Sequence, residues 1–195
     1  MRVAVMGGYP YFLFSEKIGC SKVPFGGVAT WMVNLCNHLS KHHDMDVHVI
    51  TELFQEEKGI KSIIFREGSI TYHFLVPPRR FRASTFFIQD CIKIHKELKK
   101  ISPDIVHAHH TDEYALAAVT SGYPSVITVH GIYSLVIKVL YEGNQIRDNI
   151  IAIVERFCIK KGKNIISINP YAESFISKSC FGDVYPIENP VNEIA

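Results

Sequence analysis

The stretch Pro103–Gly131, PDIVHAHHTDEYALAAVTSGYPSVITVHG, contains a complete strand–helix–strand unit. Its ends, Pro103–His110 and Ser125–Gly131, are short apolar runs rich in valine and isoleucine, which is typical of strands buried on both faces. Between them, Asp112–Ser121 has the composition of a short helix, and Gly122 closes it. Neighbouring strands joined by a helix run parallel, so this stretch predicts a parallel sheet.

The same alternation continues in both directions along the chain. Apolar runs predict further strands, and residues at helical spacing predict helices. The predicted strands are Arg2–Gly8, Asp46–Thr51, a hairpin of SIIF (62–65) with Ile70–Val76, Asn164–Asn169 and a last short strand in VYPIENP (184–190). The predicted helices cover 28–39, 87–101 and a segment striped by Ile146, Ile150, Val154 and Phe157, with one more beginning at Pro170. The predicted class is α/β, with a mostly parallel sheet and helices on both faces, and Tyr9–Phe25 is predicted to be a long loop.

Composition limits the class of protein. The 195 residues are 47% hydrophobic, enough for one domain with a substantial core. The net charge of +2 does not indicate a nucleic-acid binder, which usually carries a strongly basic stripe. The five cysteines are widely spaced and form no C-x-x-C pair, which favours reduced thiols in the cytoplasm. The N-terminal run lacks a cleavage site, and no apolar run approaches the roughly 18 residues of a membrane span. We therefore expect a cytoplasmic protein, with contact to a membrane surface left open.

Residues that follow the predicted strands are the first candidates for a site, because ligands of parallel sheets bind beyond the carboxyl ends of the strands. Gly26 and Gly27 stand directly before the helix that begins at Val28. Exposed backbone N–H groups and the positive helix end favour a phosphate there, although a tight turn without a ligand explains the pair equally well. Neither G-x-G-x-x-G nor G-x-x-x-x-G-K-[ST] is present, so the common dinucleotide and NTPase motifs are absent.

Two groups of histidines lie near predicted strand ends. His130 ends the strand Ser125–Gly131, where its neutral ring can both donate and accept a hydrogen bond; a purely structural histidine is an equal alternative. In HAHHTDE, His107 and His109 share one face of a strand and His110 points to the other. One segment rarely supplies a whole zinc site, so we expect no metal, a buried, hydrogen-bonded His107 and a cleft-facing His109.

The segment PPRRFRASTFF (77–87) mixes Arg79, Arg80 and Arg82 with aromatic residues. A solvated loop is the favoured interpretation. The alternative is a patch that binds anionic acceptors or lipid head groups.

Taken in order, these segments resemble a known family. GGVATWMVNLCNHL (26–39), PDIVHAHH (103–110), SVITVHG (125–131), NIISINPYAESF (164–175) and VYPIENPVN (184–192) are similar to the N-terminal domain of family 4 glycosyltransferases, which are retaining enzymes with the GT-B fold. The resemblance covers essentially the whole chain, residues 1–195. It implies a Rossmann-like N-terminal half of a GT-B fold, with no metal or cofactor and with a nucleotide-diphosphate sugar as the donor substrate.

The resemblance also implies roles for residues. Gly26 and Gly27 would face the donor diphosphate, His130 would lie close to the transferred sugar, and His109 and the loop PYFLFSEKIGCSKVPF (10–25) would line the acceptor side. From their positions in the sequence, His110, Arg79, Arg80 and Arg82 are further acceptor-side candidates. The family often has serine where this chain has Asn169. The family's C-terminal, donor-binding half has no counterpart in this sequence, so the resemblance implies a hexosyltransferase-like enzyme whose N-terminal half alone is inactive. Its acceptor would be a glycan or a lipid-linked molecule, and its partner a C-terminal domain or second subunit. A non-catalytic binding subunit or acceptor-docking module is the alternative.

Overall fold

The computed structural model describes residues 1–18, 30–53, 61–78, 80–137 and 145–189. Its strands are β1 (Arg2–Met6), β2 (Asp46–Glu52), β3 (Ile63–Glu67), β4 (Ile70–Leu75), β5 (Ile105–His109), β6 (Ser125–Val129), β7 (Asn164–Ser167) and β8 (Asp183–Pro186). Its helices are α1 (Ser15–Ile18), α2 (Thr30–Leu39), α3 (Ile88–Ile101), α4 (Glu113–Thr120), α5 (Tyr133–Val136), α6 (Gln145–Lys161) and α7 (Pro170–Ile176), with 3₁₀ turns at Tyr11–Phe14 and Ala83–Thr85.

The eight strands form one sheet in the order β3-β4-β2-β1-β5-β6-β7-β8. Every neighbouring pair is parallel except β3 and β4, which form the predicted antiparallel hairpin. The predicted α/β class and mostly parallel sheet are therefore confirmed. Because the strands run parallel, the segments that follow β1, β2, β5, β6 and β7 emerge at one edge, which we call the carboxyl edge.

Helices cover both faces of the sheet because alternate residues of each strand point to opposite sides. On one face, Val3 and Val5 of β1 pack with Met32 and Cys36 of α2. On the other face, Ala4 and Met6 pack in the cluster formed with α3 and α4. The helix α6 continues this second layer over β6 and β7. Among the described residues, no helix has both the length and the apolar character needed to cross a bilayer.

Two predictions about local structure were wrong. The first part of the predicted loop Tyr9–Phe25 forms the 3₁₀ turn and α1, and Tyr9 and Tyr11 are buried because they complete the core beneath α2. In α6, the predicted stripe is only partly turned toward the core: Val154 is buried, but Ile146 is 74% exposed and Phe157 is 41% exposed. The helix is apolar on more than one side, and Val154 packs together with Ile151, Cys158 and Ile159.

Candidate functional site at the carboxyl edge

The candidate site is built where β5 and β6 end beside α2. β5 ends at His109, His110 follows it, and His130 follows β6. Trp31 comes from the first turn of α2 and lies against all three imidazole rings. The chain therefore brings four aromatic side chains together from three distant segments.

His130 is held between an aromatic ring and a second histidine. The indole of Trp31 stacks on its imidazole with 4.0 Å between ring centroids and 30° between ring planes. Its Nε2 lies 3.0 Å from Nδ1 of His109, so the two rings share one hydrogen bond. Its Nδ1 lies 3.4 Å from the side-chain nitrogen of Asn189, a long contact that a ligand can replace.

His109 and His110 occupy the reverse of their predicted positions. His109 is only 2% exposed. A Cβ added to Gly7 would lie 3.1 Å from the Cβ of His109, so the backbone just after β1 also packs tightly against this histidine. His110 is exposed, and its φ of +69° turns its ring back toward His130, with 4.9 Å between the ring centroids. Strict strand alternation fails here because His110 has already left β5. The cleft-facing histidine of this pair is His110, and the prediction of a cleft-facing His109 was wrong.

Burial keeps these histidines neutral. It lowers the pKa of His130 to about 3, with nearby His110 and His107 adding to the effect. It lowers the pKa of His107 to about 4, and that ring is also hydrogen-bonded to Thr128 Oγ1 at 2.7 Å, as predicted. It also holds the pKa of His109 well below its usual value. A neutral imidazole with so low a pKa is a poor general base near pH 7, so His130 is suited to hydrogen bonding and not to proton transfer.

The histidines do not form a metal centre in this arrangement. The ring planes of His109 and His110 are tilted by 30° and 43° from that of His130, and the facing nitrogens of His109 and His130 are already joined by a hydrogen bond. Within the described part of the chain, no group of three or more histidine, cysteine, aspartate or glutamate side chains is arranged to hold a metal ion.

A cavity of about 410 Å³ begins at Gly131, the residue that follows His130. It lies between the segments that follow β6 and β7, and its lining is mostly apolar. The residues that line it are Gly131, Ile132, Leu135, Val136, Asn169, Tyr171 and Ala172. Asn169 caps α7 by accepting a hydrogen bond from the Ala172 N–H at 2.8 Å, a role in which serine is equally favoured.

Comparison with known proteins identifies the family. Residues 25–193 match the family model described as Glycosyltransferase Family 4. The chain belongs to glycosyltransferase family 4. None of the curated protein sequences matches it.

Solved structures place this family 4 domain among GT-B proteins. It is similar to sucrose-phosphate synthase from Thermosynechococcus elongatus, with a TM-score of 0.71 and 14% identity over 98% of this chain and 49% of that one. It is also similar to UDP-GlcNAc 2-epimerase from Methanocaldococcus jannaschii, with a TM-score of 0.50 and 13% identity over 93% of this chain and 45% of that one. A third similar structure is Glycyrrhiza uralensis UGT73P12 complexed with glycyrrhetinic acid 3-O-monoglucuronide. Its TM-score is 0.51, with 12% identity over 96% of this chain and 48% of that one. The chain thus spans about half the length of these structures, and the likeness shows the fold alone.

A buried carboxylate holds the strand end that carries His130 in this family 4 domain. Glu155 of α6 is fully buried and accepts hydrogen bonds from the N–H groups of Tyr133 and Ser134, at 2.5 and 3.0 Å, and from Thr111 Oγ1 at 3.2 Å. It therefore satisfies the first N–H groups of α5, three residues beyond His130. The sequence carries no signal for this role, because Glu155 and its partners lie far apart along the chain.

The family 4 domain also contains an ion cluster that the sequence did not reveal. The guanidinium of Arg82 pairs with Asp90 at 2.7 Å, with Glu113 at 2.9 Å and with Glu52. All three carboxylates are buried, and burial raises the pKa of Glu52 and Glu113. One guanidinium cannot neutralise three carboxylates, and Oε1 of Glu52 and Oδ2 of Asp90 have no hydrogen-bond partner among the described residues.

The other predicted site residues are placed as follows. Arg82 is committed to this cluster and is only 22% exposed at its side chain, so the solvated loop favoured for residues 77–87 is wrong at this position. Arg80 is exposed. Gly26, Gly27 and Arg79 lie outside the described residues, and their roles stay predictions.

Proposed function

We propose that this chain is the acceptor-side half of a retaining glycosyltransferase that transfers a sugar from a nucleotide-diphosphate sugar to an acceptor hydroxyl. Membership of glycosyltransferase family 4 supports sugar transfer as the general activity. The observation that carries the proposal is the position of neutral His130 at the carboxyl edge, beside the cavity and held by Trp31 and His109. Ligands of parallel sheets bind at this edge.

In the proposed reaction, the acceptor hydroxyl bonds to the anomeric carbon of the sugar as the bond from that carbon to the diphosphate breaks. His130 contributes a hydrogen bond to a hydroxyl of the transferred sugar through Nδ1, the nitrogen whose present contact with Asn189 is long. Gly26 and Gly27 offer backbone N–H groups to the diphosphate, on which negative charge grows as it leaves. The acceptor hydroxyl loses its proton to a group other than His130, since a ring with so low a pKa takes up a proton poorly.

The proposal extends to the rest of the protein. A C-terminal domain or a second subunit holds the donor nucleotide, because the fold family has two such halves and this chain spans about half of the structures it matches. The activity needs no metal, and the protein works in the cytoplasm. The alternative, a non-catalytic acceptor-docking subunit, predicts the same fold without transfer.

The experiment is nucleoside diphosphate release by the complete protein that contains this chain, with a panel of nucleotide sugars and extracted glycans or lipids as acceptors. We expect release that depends on the acceptor, and loss of release in His130→Ala. His95→Ala is the matched control, since His95 also has a ring hydrogen bond, to the Ala117 carbonyl, but lies on α3 away from the site. Acceptor binding without any release, in wild type and both variants, would establish the docking alternative.

A further inference from the structure

The segment before α3 and the first turns of α3 expose a cluster of large apolar side chains. Four of them lie within residues 81–92 and are 72%, 42%, 56% and 49% exposed: Phe81, Phe86, Ile88 and Ile92. We call these four residues the apolar patch. Ile88 and Ile92 are one helical turn apart, so they stand on the same side of α3.

The same side of α3 is positively charged. Lys96 and Lys99 follow Ile88 and Ile92 at helical spacing, and both are exposed. The two acidic residues of this helix are buried and already paired: Asp90 with Arg82, and Glu97 with His73 and Lys100. The exposed side of α3 therefore carries apolar and cationic groups and no carboxylate.

The backbone that presents the patch is strained. Phe81, Phe86 and Phe87 have φ values of 62°, 52° and 57°, in the left-handed region that bulky residues avoid. The ion pairs of Arg82 with buried carboxylates and the burial of Phe87 hold this conformation. Arg82 points inward and Phe81 beside it points outward. The strained backbone at Phe81 therefore leaves an aromatic ring exposed to solvent. Strained backbone that exposes apolar groups is characteristic of binding surfaces.

We propose that this surface contacts an anionic lipid bilayer, with the apolar patch at the boundary of head groups and acyl chains and with Lys96 and Lys99 on the lipid phosphates. Apolar side chains beside lysines are the composition of helices that lie in a bilayer interface. A second copy of the chain would present the same positive charges, whereas anionic lipid complements them. Arg80 is exposed next to Phe81 and adds to the same contact.

The contact has a consequence for the acceptor. The segment 80–87 follows β4 and reaches Glu52 at the end of β2, so the patch lies at the carboxyl edge of the sheet, as His130 does. A bilayer held there brings the site next to lipid and selects an acceptor carried on lipid. This consequence rests on the proposed function, whereas the contact itself does not.

The test is co-sedimentation of the protein with vesicles of phosphatidylcholine, alone or mixed with phosphatidylglycerol, at low and raised salt. We expect binding only to the anionic vesicles, weakened by salt. Phe81→Asn with Ile92→Gln should lower the partition coefficient at least about tenfold, since asparagine tolerates the left-handed conformation and glutamine the helix. The matched control is Phe181→Asn with Ile187→Gln, at positions 81% and 52% exposed on either side of β8, which lies at the opposite end of the sheet from β3 and β4.

A second pair of variants tests the charge. Lys96→Glu with Lys99→Glu should lower binding to anionic vesicles about tenfold or more, and Lys160→Glu with Lys161→Glu, two exposed lysines at the end of α6, should lower it much less. Equal losses in test and control variants, or equal binding to neutral and anionic vesicles, would overturn the proposal. So would a lipid-independent dimer, seen by analytical ultracentrifugation, that Phe81→Asn with Ile92→Gln dissociates. Vesicle binding is measured without sugar transfer, so sugar transfer by a protein that fails to bind vesicles would refute this inference alone.

Discussion

The indole of Trp31 stacks on the imidazole of His130, with 4.0 Å between the ring centroids, and so covers a histidine that follows a central strand and precedes the cavity-lining Gly131. The stack and the hydrogen bond to His109 fix the orientation of the ring on two sides. Burial is also the main reason for its low pKa, and Trp31 covers one face of the ring. The orientation of the His130 ring thus depends on two contacts, one with α2 through Trp31 and one with the end of β5 through His109.

Removing the indole should raise the pKa of His130. In Trp31→Ala we expect it to move from about 3 toward the ordinary value of about 6.5, because solvent reaches the ring. An NMR titration of the His130 ring protons measures this, with Trp31→Phe as the control that keeps an aromatic ring in place. An unchanged pKa in Trp31→Ala would show that other groups shield the ring.

His130→Ala should lower turnover of the complete enzyme about 30- to 1,000-fold. This corresponds to about 2–4 kcal/mol, the size of one hydrogen bond made chiefly in the transition state. Melting temperature is measured alongside turnover, because His130 is partly buried and its loss affects packing. Turnover like that of wild type would remove the catalytic role, and a collapsed melting temperature would make the residue structural.

Gly27→Val should weaken donor binding in the complete enzyme. A side chain there blocks the close approach of a diphosphate to the backbone, and it adds strain if the turn needs a positive φ. Nucleoside diphosphate binding, followed by calorimetry, should weaken by about tenfold or more, the effect of losing one charge-assisted hydrogen bond of about 1.5–3 kcal/mol. Binding of equal strength in Gly27→Val and wild type would show that the glycine pair is only a turn.

Arg82→Met should destabilise the fold by about 3–5 kcal/mol, because it leaves the buried carboxyl groups of Glu52, Asp90 and Glu113 without the guanidinium to which they are paired. Glu52→Gln should change the stability by less than about 1 kcal/mol, because burial already favours the uncharged form of Glu52. Urea unfolding at pH 7 compares the two variants. A large loss in Glu52→Gln would mean that the cluster needs all three charges.

Acid should destabilise the protein through His107. Its pKa is near 6.5 when unfolded and about 4 when folded, so the unfolded chain binds the proton first. Its contribution is fully present above about pH 6.5 and is lost at about 1.4 kcal/mol per pH unit as the pH falls toward 4. The raised pKa values of Glu52 and Glu113 have the opposite effect, because these groups stabilise the fold as the pH falls. The pH dependence of the free energy of unfolding is therefore compared between two proteins. His107→Gln should lose less stability in acid than wild type. Parallel stability curves for the two proteins would contradict the assignment.

The sequence by itself determined the order and type of the main elements. Apolar runs bounded by turn residues marked β1, β2, β5, β6 and β7, and the hairpin of β3 and β4 was also predicted. These signals are local: the period of apolar residues depends only on the geometry of a strand or helix. A local signal also predicted that His130 lies at the carboxyl edge, because a residue that directly follows a parallel strand lies at that edge of the sheet. The order of these motifs also predicted the family that the comparison confirmed.

Only the tertiary structure decided which side chains meet. Arg82, Glu52, Asp90 and Glu113 come from four separate segments, and no periodic signal connects charges that are far apart in the chain. The helix α6 is apolar on two sides, and both sides fit the helical period. Only one of them can pack against the sheet, so the tertiary structure decides which side is buried. The exposure of His110 and the burial of His109 followed from a positive φ beyond the strand end and from Trp31 approaching on α2. Burial and charge pairing depend on distance in space, which a local pattern does not contain.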